Sequence, residues 1–397
     1  MPFTQKELAG RIRKLKQRLE QAGIGLAVLN QNSDVYYYTG SVQPLYLLIP
    51  ASGEPVMLAR KSITRIRDEA PEITLEVFHG GKDLTEIISR HGFGDAERVG
   101  YTLDTTAYAT VARLHKLFGG VEMVDISWDI RMLRAVKSEA EIAIQVRAGE
   151  IMARVPDIVK ACFKPGMTEI ELSAAIENYF RLHGHGAFMR IRRECIEMAG
   201  FGVCSSGTNS LAGTKFDGIC AGTGASSGSP YGAGSEPVER GVPVILDYAF
   251  NLEGYIIDQT RMFSWGEPSH EVMRAYDAMV RIEDIIVAML KPGAVWEDVY
   301  NEAAALADDA GYIKEFMGLG TEKVKFVGHG VGLELDEPPY LAPQMKDRLA
   351  AGMVIAIEPK VALPEIGVVG IEDTVVIRES GVEWLTTCSR DFQVLDR

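Results

Sequence analysis

The sequence predicts two domains: an α/β domain over residues 1–131 and an α+β domain over residues 132–397 that is built from two related halves. Two observations support this prediction. Up to about residue 130, short apolar runs typical of strands alternate with helical stretches, and Gly and Pro separate them. Beyond that point long amphipathic helices begin, and one ordered pattern then occurs twice, which indicates an internal duplication.

The first domain begins with a helix and continues with short strands. Leu8, Ile12, Leu15 and Leu19 fall on one stripe and predict a helix over residues 5–23. The segments predicted after it are strands at 26–29, 35–38, 46–49, 55–58, 98–101 and 121–124, with a helix over 105–118.

Two capping boxes open the helices of the second domain. They begin at Ser138 and Thr168, each followed three residues later by Glu, so that hydroxyl and carboxylate can each satisfy a free amide. We therefore expect a long helix from 138 towards 163 and another from 168 to about 182. The Gly- and Ser-rich stretch 200–235 is expected to be a surface loop after the charged edge Arg190–Glu194. The alternative is a clamp for a substrate carboxylate followed by a lid.

Composition restricts the classes of function. The 41 Lys and Arg against 55 Asp and Glu give a net charge of −14, which argues against nucleic acid as the main partner. No run of about 18 apolar residues is present, so no membrane helix is expected, and the charged N-terminus does not resemble a secretion signal. Five cysteines without a CxxC pair are typical of a reduced protein. We expect a cytoplasmic protein that binds neither nucleic acid nor membrane.

The internal repeat places acidic residues at matching positions in the two halves. A Lys-Pro-Gly sequence precedes a helix at residues 164–166 and again at 291–293. Further on, Gly241 is followed six residues later by Asp247, and Gly352 six residues later by Glu358. The segment 257–260, with Asp258, then matches the segment 371–374, with Glu372. Two halves that face each other would bring these four carboxylates together.

The first two of these acids are predicted to face each other across a hairpin. A turn over residues 251–254 would pair Asp247 directly with Asp258, with Cβ atoms about 4.5–5.5 Å apart. Two like charges among Ile and Leu side chains are unfavourable unless a cation lies between them. The alternative is that both carboxylates face solvent or Arg261, but the repetition at Glu358 and Glu372 argues against it.

One histidine is expected to join the acids. His329 ends an apolar run and is flanked by Gly328 and Gly330, which permit close backbone approach. Imidazole with carboxylates is a common site for first-row divalent metals, and four carboxylates suit two ions. The oxygen-rich set favours Mn or Co, with Zn or Fe as alternatives, and no cysteine ligand is expected. Two such ions can hold a bridging hydroxide and polarise a carbonyl, which is the equipment for hydrolysis.

The ordered set of motifs resembles the pita-bread metallopeptidases, which include methionine aminopeptidase, aminopeptidase P and prolidase, and whose fold creatinase shares. The segments that carry the resemblance are Asp247, Asp258-Gln259-Thr260-Arg261, Gly328–Leu333, Ile357-Glu358-Pro359 and Ile371-Glu372-Asp373-Thr374. The N-terminal domain is similar to that of the creatinase, prolidase and aminopeptidase P branch. The resemblance covers nearly the whole chain and implies a pita-bread fold for the second domain.

The resemblance also implies roles for these residues. Asp258 and Glu372 would bridge two metal ions, Asp247 would complete one of them, and His329 and Glu358 the other. The bridging hydroxide would attack the scissile carbonyl, with Glu358 as the proton shuttle. Cleavage of Xaa-Pro peptides and assembly as a homodimer are further implications of the resemblance.

Two accessory histidines of the family are absent from this sequence. Tyr231, in Ser-Pro-Tyr-Gly, stands where a histidine usually precedes the first Asp strand, and Asp336 stands seven residues beyond His329 in place of the other. Tyr231 can still donate a hydrogen bond, whereas an ionised Asp336 would repel an oxyanion and could accept from an ammonium or guanidinium group.

These departures leave three hypotheses open. The first is an Xaa-Pro dipeptidase or aminopeptidase that uses two divalent ions. The second is a metal-dependent hydrolase or lyase for a small non-peptide compound, as in the branches related to creatinase and ectoine hydrolase. The third is a non-catalytic binding module on the same fold, which the complete ligand set disfavours.

Overall fold

The computed structural model describes residues 3–193 and 201–396. They form two compact units, one of residues 3–134 with Arg192 and Arg193, the other of residues 135–191 and 201–396. The domain limits at 131 and 132 stay a sequence prediction. Among the described residues, no helix is both long enough and apolar enough to cross a membrane.

The first unit is a six-stranded mixed sheet with helices around it. The strand order is β4-β3-β2-β1-β5-β6, and its core contains the apolar residues of the central strands together with Phe78, Leu114 and Phe118. Its elements are α1 (Gln5–Ala22), β1 (Leu26–Leu29), α2 (Asn32–Thr39), β2 (Tyr46–Pro50), β3 (Val56–Ala59), α3 (Ile63–Glu69), β4 (Thr74–Val77), α4 (Gly81–Arg90), β5 (Arg98–Tyr101), α5 (Tyr108–Leu117), β6 (Glu122–Asp125) and α6 (Ser127–Ala135).

Most of the predicted elements of this unit are confirmed, but the strand predicted at 35–38 is wrong. That segment lies in helix α2, where Val35, Tyr38 and Thr39 are buried with helical spacing. The preceding Asp34 is fully buried and pairs with the guanidinium groups of Arg134 and Arg192. The β propensity of Val and Tyr is weak compared with this burial and ion pairing, so tertiary context decides the conformation.

The second unit contains a five-stranded sheet of order β11-β10-β12-β15-β16, a four-stranded sheet of order β17-β9-β8-β7 and the β13-β14 hairpin. Its elements are α7 (Glu139–Met152), α8 (Val155–Cys162), α9 (Glu169–Leu182), β7 (Gly202–Ser206), β8 (Pro243–Leu252), β9 (Tyr255–Trp265), α10 (His270–Met289), α11 (Trp296–Asp309), β10 (Gly328–Gly330), β11 (Glu337–Tyr340), β12 (Val354–Ile357), β13 (Lys360–Leu363), β14 (Gly367–Gly370), β15 (Asp373–Arg378), β16 (Gly381–Trp384) and β17 (Gln393–Leu395).

Both capping boxes form as predicted, with reciprocal bonds at Ser138 and at Thr168. The helix predicted from 138 to 163 is instead two helices, α7 and α8. Pro156 lies in the first turn of α8, where its missing N–H costs nothing, whereas it would break the hydrogen-bond ladder of a continuous helix.

The stretch 200–235 is only partly the predicted loop. Residues 194–200 lie outside the described part of the chain, but the following strand β7 pairs antiparallel with β8. Val203 and Cys204 of this strand are completely buried, so the burial of a short apolar run fixes a strand inside a Gly- and Ser-rich stretch.

The hairpin of β8 and β9 has a different register from the one predicted. Leu252 pairs with Tyr255, so Asp247 lies opposite Thr260 and Asp258 lies opposite Ala249. The cause is a two-residue turn in which Glu253 (φ 51°) and Gly254 (φ 92°) both adopt left-handed conformations. Such a turn matches the twist of paired strands better than the longer turn that we predicted. Because the shift is two residues, Asp247 and Asp258 remain on one face as diagonal neighbours.

Candidate metal centre

The five predicted ligands lie around one cavity in the second unit. Asp247 and Asp258 come from β8 and β9, His329 from β10, Glu358 follows β12, and Glu372 precedes β15. All five line a cavity of about 50 Å³, which also includes Tyr231, Asp336 and Cys220. The structure therefore brings together every site residue that the sequence predicted.

The two halves meet where β9 lies beside β15, and the repeated threonines join them. Thr260 Oγ1 donates to Glu372 Oε2 at 2.8 Å, and Thr374 Oγ1 donates to the carbonyl of Asp258 at 2.7 Å. Each acid is therefore held by the threonine that belongs to the other half of the repeat. This cross-connection fixes the positions of the two acids that we predicted to bridge metal ions.

His329 is oriented by its own strand and by its glycine neighbours. Its Nδ1 lies 3.3 Å from the carbonyl oxygen of Gly330, which can only accept, so Nδ1 carries a proton and Nε2 is the nitrogen that a metal ion would bind. A Cβ atom on Gly328 would lie 2.6 Å from the Ala356 oxygen, and one on Gly330 would lie 2.2 Å from the Pro338 oxygen. The predicted need for glycine beside His329 is therefore confirmed.

The side chain of Lys360 enters the cluster, and sequence reasoning missed it. Its Nζ donates to Glu358 Oε2 at 2.7 Å, to Glu372 Oε2 at 2.8 Å and to Asp247 Oδ2 at 3.2 Å. Burial disfavours the ammonium, but the three carboxylates outweigh burial and hold the pKa of Lys360 well above its usual value. A charged residue in an otherwise apolar, fully buried strand two positions after Glu358 was the available signal.

The crowded charges perturb the other members of the cluster. Burial, together with the charges of Glu372 and Asp247, raises the pKa of Asp258 well above its usual value. For His329, burial opposes the charge, but Glu358, Asp336 and Glu372 outweigh it and raise the pKa. The cluster thus has an excess of negative charge that a cation would relieve.

Three of the predicted ligands are close enough to one another to hold a divalent ion. One ligand atom each from Asp258, His329 and Glu372 lies within 4.8 Å of the other two. Glu372 Oε1 is buried and has no hydrogen-bond partner among the described residues, as a metal-ligating oxygen would. Imidazole and two carboxylates are a suitable donor set for a first-row divalent ion.

Tyr231 and Asp336, the residues that stand in the accessory-histidine positions, both line the cavity. Burial, then the charge of Asp247, raises the pKa of Tyr231 well above its usual value, so the phenol keeps its proton and can donate. The loop that carries Tyr231 is held by a hydrogen bond from Gly232 N to the Ala221 carbonyl at 2.8 Å.

Cys220 is a second residue that sequence reasoning missed. Its buried thiol donates to Asp247 Oδ2 at 2.9 Å, so a cysteine lies against the acids although it is not one of the predicted metal ligands. Burial and the charge of Asp247 raise the pKa of Cys220 well above its usual value, and the group is a thiol. No motif connects Cys220 with the acids, because its contact with Asp247 depends on how the segment between β7 and β8 folds.

The charged segment Arg190–Glu194 does not line the cavity in its described part. Arg192 is buried in the first unit and binds Asp34 and Asp104, with Nε donating to Asp104 Oδ2 at 2.6 Å. Arg190 donates to the Gly254 carbonyl at 3.3 Å. Glu194 lies outside the described residues.

Comparison with known proteins agrees with this architecture. Residues 144–379 match metallopeptidase family M24, and residues 11–136 match the creatinase/prolidase N-terminal domain. The chain is 28% identical to the uncharacterized peptidase YqhT of Bacillus subtilis, over 97% of this chain and 100% of that protein. It is 26% identical to the Xaa-Pro dipeptidase of Pyrococcus furiosus, over 96% and 99% of the two chains.

Solved structures show the same fold along the whole chain. Dipeptidase PepE from Mycobacterium ulcerans superposes with a TM-score of 0.82 at 26% identity and covers 100% of both chains. The prolidase from Pyrococcus horikoshii superposes with a TM-score of 0.79 at 25% identity and covers 96% of this chain and 99% of that one. The predicted α/β domain followed by a pita-bread domain is confirmed. With a family match over more than half of its length, the chain belongs to metallopeptidase family M24 and is a metallohydrolase.

Proposed function

We propose that the protein hydrolyses Xaa-Pro peptides with a divalent metal held by its carboxylate–histidine cluster. The observation that carries this proposal is the convergence of Asp258, His329 and Glu372 ligand atoms within 4.8 Å beside a small cavity. The substrate class is supported by the Xaa-Pro dipeptidase of Pyrococcus furiosus, which is similar over nearly the whole chain.

The proposed roles follow from the positions of the side chains. A bound divalent ion would polarise the scissile carbonyl and lower the pKa of a bound water. Glu358 would accept the proton of the attacking water and pass it to the leaving amine, since its carboxylate lines the cavity and its Oε1 lies 3.5 Å from Nε2 of the proposed ligand His329. Tyr231 would donate its phenolic hydrogen to the substrate oxygen. The sequence predicts two Mn or Co ions with Asp258 and Glu372 shared, in a cytoplasmic homodimer. Mn or Co as the metal, the cytoplasmic location and the homodimer remain part of this proposal, and the number of ions is a separate question that Lys360 raises.

Space for a peptide adjoins the cluster. A second cavity of about 140 Å³ shares residues 216–219 with the first and extends to Lys323 and Ala362. This arrangement would let one residue of a dipeptide lie beside the acids and the other in the neighbouring cavity. Tyr231 and Phe216 meet edge to face at 6.4 Å and form an apolar wall suited to a proline ring.

The test is peptide cleavage by protein purified without added metal and then reconstituted with Mn or Co. We expect cleavage of Xaa-Pro dipeptides that depends on metal and is lost in Asp258→Asn. Glu379→Gln, which changes an exposed carboxylate, is the matched control and should keep full activity. Metal-loaded protein that cleaves no Xaa-Pro dipeptide or tripeptide would refute the proposed substrate.

A small cationic compound is the second candidate substrate, and Asp336 is the observation that favours it. Its carboxylate lines the cavity and could accept hydrogen bonds from an amidine or ammonium group. Turnover of amidino or cyclic-amidine compounds without peptide cleavage would support this candidate. Metal-dependent binding without turnover of either class would instead support the non-catalytic binding module.

A further inference from the structure

Lys360 lies at the centre of the acidic cluster. Its side chain is 1% exposed, and its ammonium contacts one oxygen each of Asp247, Glu358 and Glu372 at 2.7–3.2 Å. These three carboxylates are ligands predicted for a pair of metal ions. The Lys360 nitrogen therefore lies where a second metal ion would have to lie in order to bind these three carboxylates.

The surrounding backbone is shaped to admit this lysine. Lys360 pairs with Gly370 across the β13-β14 hairpin. A Cβ atom on Gly370 would lie 2.5 Å from Lys360 Cγ and 2.6 Å from the Pro359 oxygen, so only glycine fits opposite the lysine stem. The lysine side chain is therefore a packed part of the hairpin.

Glu358 and Glu372 each direct one carboxylate oxygen towards Lys360 and leave the other oxygen on the side of the cavity that carries His329. Glu372 Oε2 accepts from Lys360 Nζ and from Thr260 Oγ1, both at 2.8 Å, whereas Oε1 has no partner among the described residues. Glu358 Oε2 likewise accepts from Lys360 Nζ, and Glu358 Oε1 lies 3.5 Å from His329 Nε2. Each acid thus keeps one oxygen for the position near His329.

Asp247 lies on the lysine side alone. Its Oδ2 accepts from Lys360 Nζ at 3.2 Å and from the Cys220 thiol at 2.9 Å. A second divalent ion on Asp247 would lie next to the ammonium, and the repulsion of the two like charges in a buried site opposes its binding.

We infer that the Lys360 ammonium takes the place of the second metal ion, so that the cluster holds one divalent ion and one fixed cation of the protein. The ion would bind at Asp258, His329 and Glu372. This inference rests on the proposed function only in assigning the cluster as a metal centre. It makes Lys360 a positioning residue that holds Glu358 and Glu372 in place.

The test is the number of metal ions per chain, measured by equilibrium dialysis against Mn and elemental analysis. We expect one ion in the unaltered protein and two in Lys360→Ala, which vacates the position among Asp247, Glu358 and Glu372. The matched control is Lys137→Met, because Lys137 is equally buried and pairs with Glu337 at 2.8 Å outside the ligand set. It should bind one ion.

Two ions in the unaltered protein, or one ion in a folded Lys360→Ala, would overturn the inference. Absence of bound Mn from all variants would overturn the metal centre itself, and the inference with it. One ion in the unaltered protein and two in Lys360→Ala, without cleavage of any Xaa-Pro peptide, would uphold the inference and refute only the proposed substrate.

A second measurement uses stability and does not depend on activity. In EDTA, Lys360→Met should melt at a lower temperature than the unaltered protein, because its carboxylates lose their resident cation. Saturating Mn should raise the melting temperature of Lys360→Ala more than that of the unaltered protein, because the variant gains an ion. An equal Mn-induced rise in the melting temperature of Lys360→Ala and of the unaltered protein would contradict the inference.

Discussion

At the scale of single residues, the acids of the cluster differ in what they can do. Glu372 is held by Thr260 and Lys360 through one oxygen, and Asp247 by Lys360 and Cys220. Glu358 contacts Lys360 through Oε2, and its Oε1 lies 3.5 Å from His329 Nε2 on the wall of the cavity. This difference makes Glu358 the best candidate for proton transfer.

Glu358→Gln tests that role. The amide keeps the shape of the side chain but cannot accept and return a proton, so we expect kcat to fall about 10²–10⁴-fold with a folded protein. The measurement is kcat for the reconstituted enzyme with circular dichroism as the folding control, and Glu379→Gln as the matched surface variant. An unchanged kcat at equal metal content would remove Glu358 from the proton pathway.

His185 should make stability depend on pH. It is buried among aromatic rings, its Nδ1 accepts from Ala187 N at 2.8 Å, and burial lowers its pKa to about 4. Between about pH 6.5 and pH 4, His185 takes up a proton in the unfolded chain but not in the folded chain. The contribution of His185 to the free energy of unfolding is therefore fully present above about pH 6.5. It falls by up to about 3 kcal/mol as the pH falls to 4.

The measurement is urea unfolding of the unaltered protein and of His185→Gln across that pH range. The variant should show a smaller loss of unfolding free energy as the pH falls. His183→Gln removes an exposed imidazole two residues away and controls for the loss of a histidine. Parallel pH dependences for the unaltered protein and His185→Gln would contradict the assignment.

At the scale of elements, the hairpins decide where the acids point. The two-residue turn after β8 moves Asp247 and Asp258 from direct to diagonal neighbours but leaves them on one face. The shorter hairpin of β13 and β14 carries Lys360 to the cluster through its pairing with Gly370. Strand pairing within these two hairpins therefore positions Asp247, Asp258 and Lys360.

Gly370→Ala tests the β13-β14 hairpin. The added methyl group would contact Lys360 Cγ and the Pro359 oxygen at 2.5–2.6 Å, so we expect a loss of about 1–3 kcal/mol in unfolding free energy. Gly81→Ala is the matched control, since its Cβ meets nothing within 4 Å in the first turn of α4. The free energy of unfolding is measured with urea. Equal values for the two variants would show that the Lys360 side chain and the hairpin can move to accommodate the added methyl group.

At the scale of the whole molecule, metal binding should stabilise one part of the chain. The candidate ligands belong to β9, β10 and the start of β15 in the second unit, whereas the first unit contributes none of them. Hydrogen exchange by mass spectrometry should therefore slow in β9, β10 and β15 when Mn is added, and remain unchanged in β1 to β6.

Glu372→Gln provides the control for this experiment, because the uncharged amide is a weaker ligand for the ion and a weaker acceptor for the Thr260 hydroxyl than the carboxylate. It should remove most of the Mn-dependent protection. Protection spread evenly over β1 to β6 and the second unit would indicate binding outside the cluster.

Local periodicity, helix caps and the internal repeat were enough to predict the order of the domains, both capping boxes and the five side chains that meet at the cavity, because each of these features can be read in the linear order of the residues. Tertiary structure decided the rest. Burial turned 35–38 into a helix, and a left-handed turn set the hairpin register. Folding of the segment between β7 and β8 brought Cys220 to Asp247, and the β13-β14 hairpin directs Lys360 towards the acids. The charge balance of the cluster depends on these contacts, since the energy of a buried ion pair depends on distances that no linear pattern specifies.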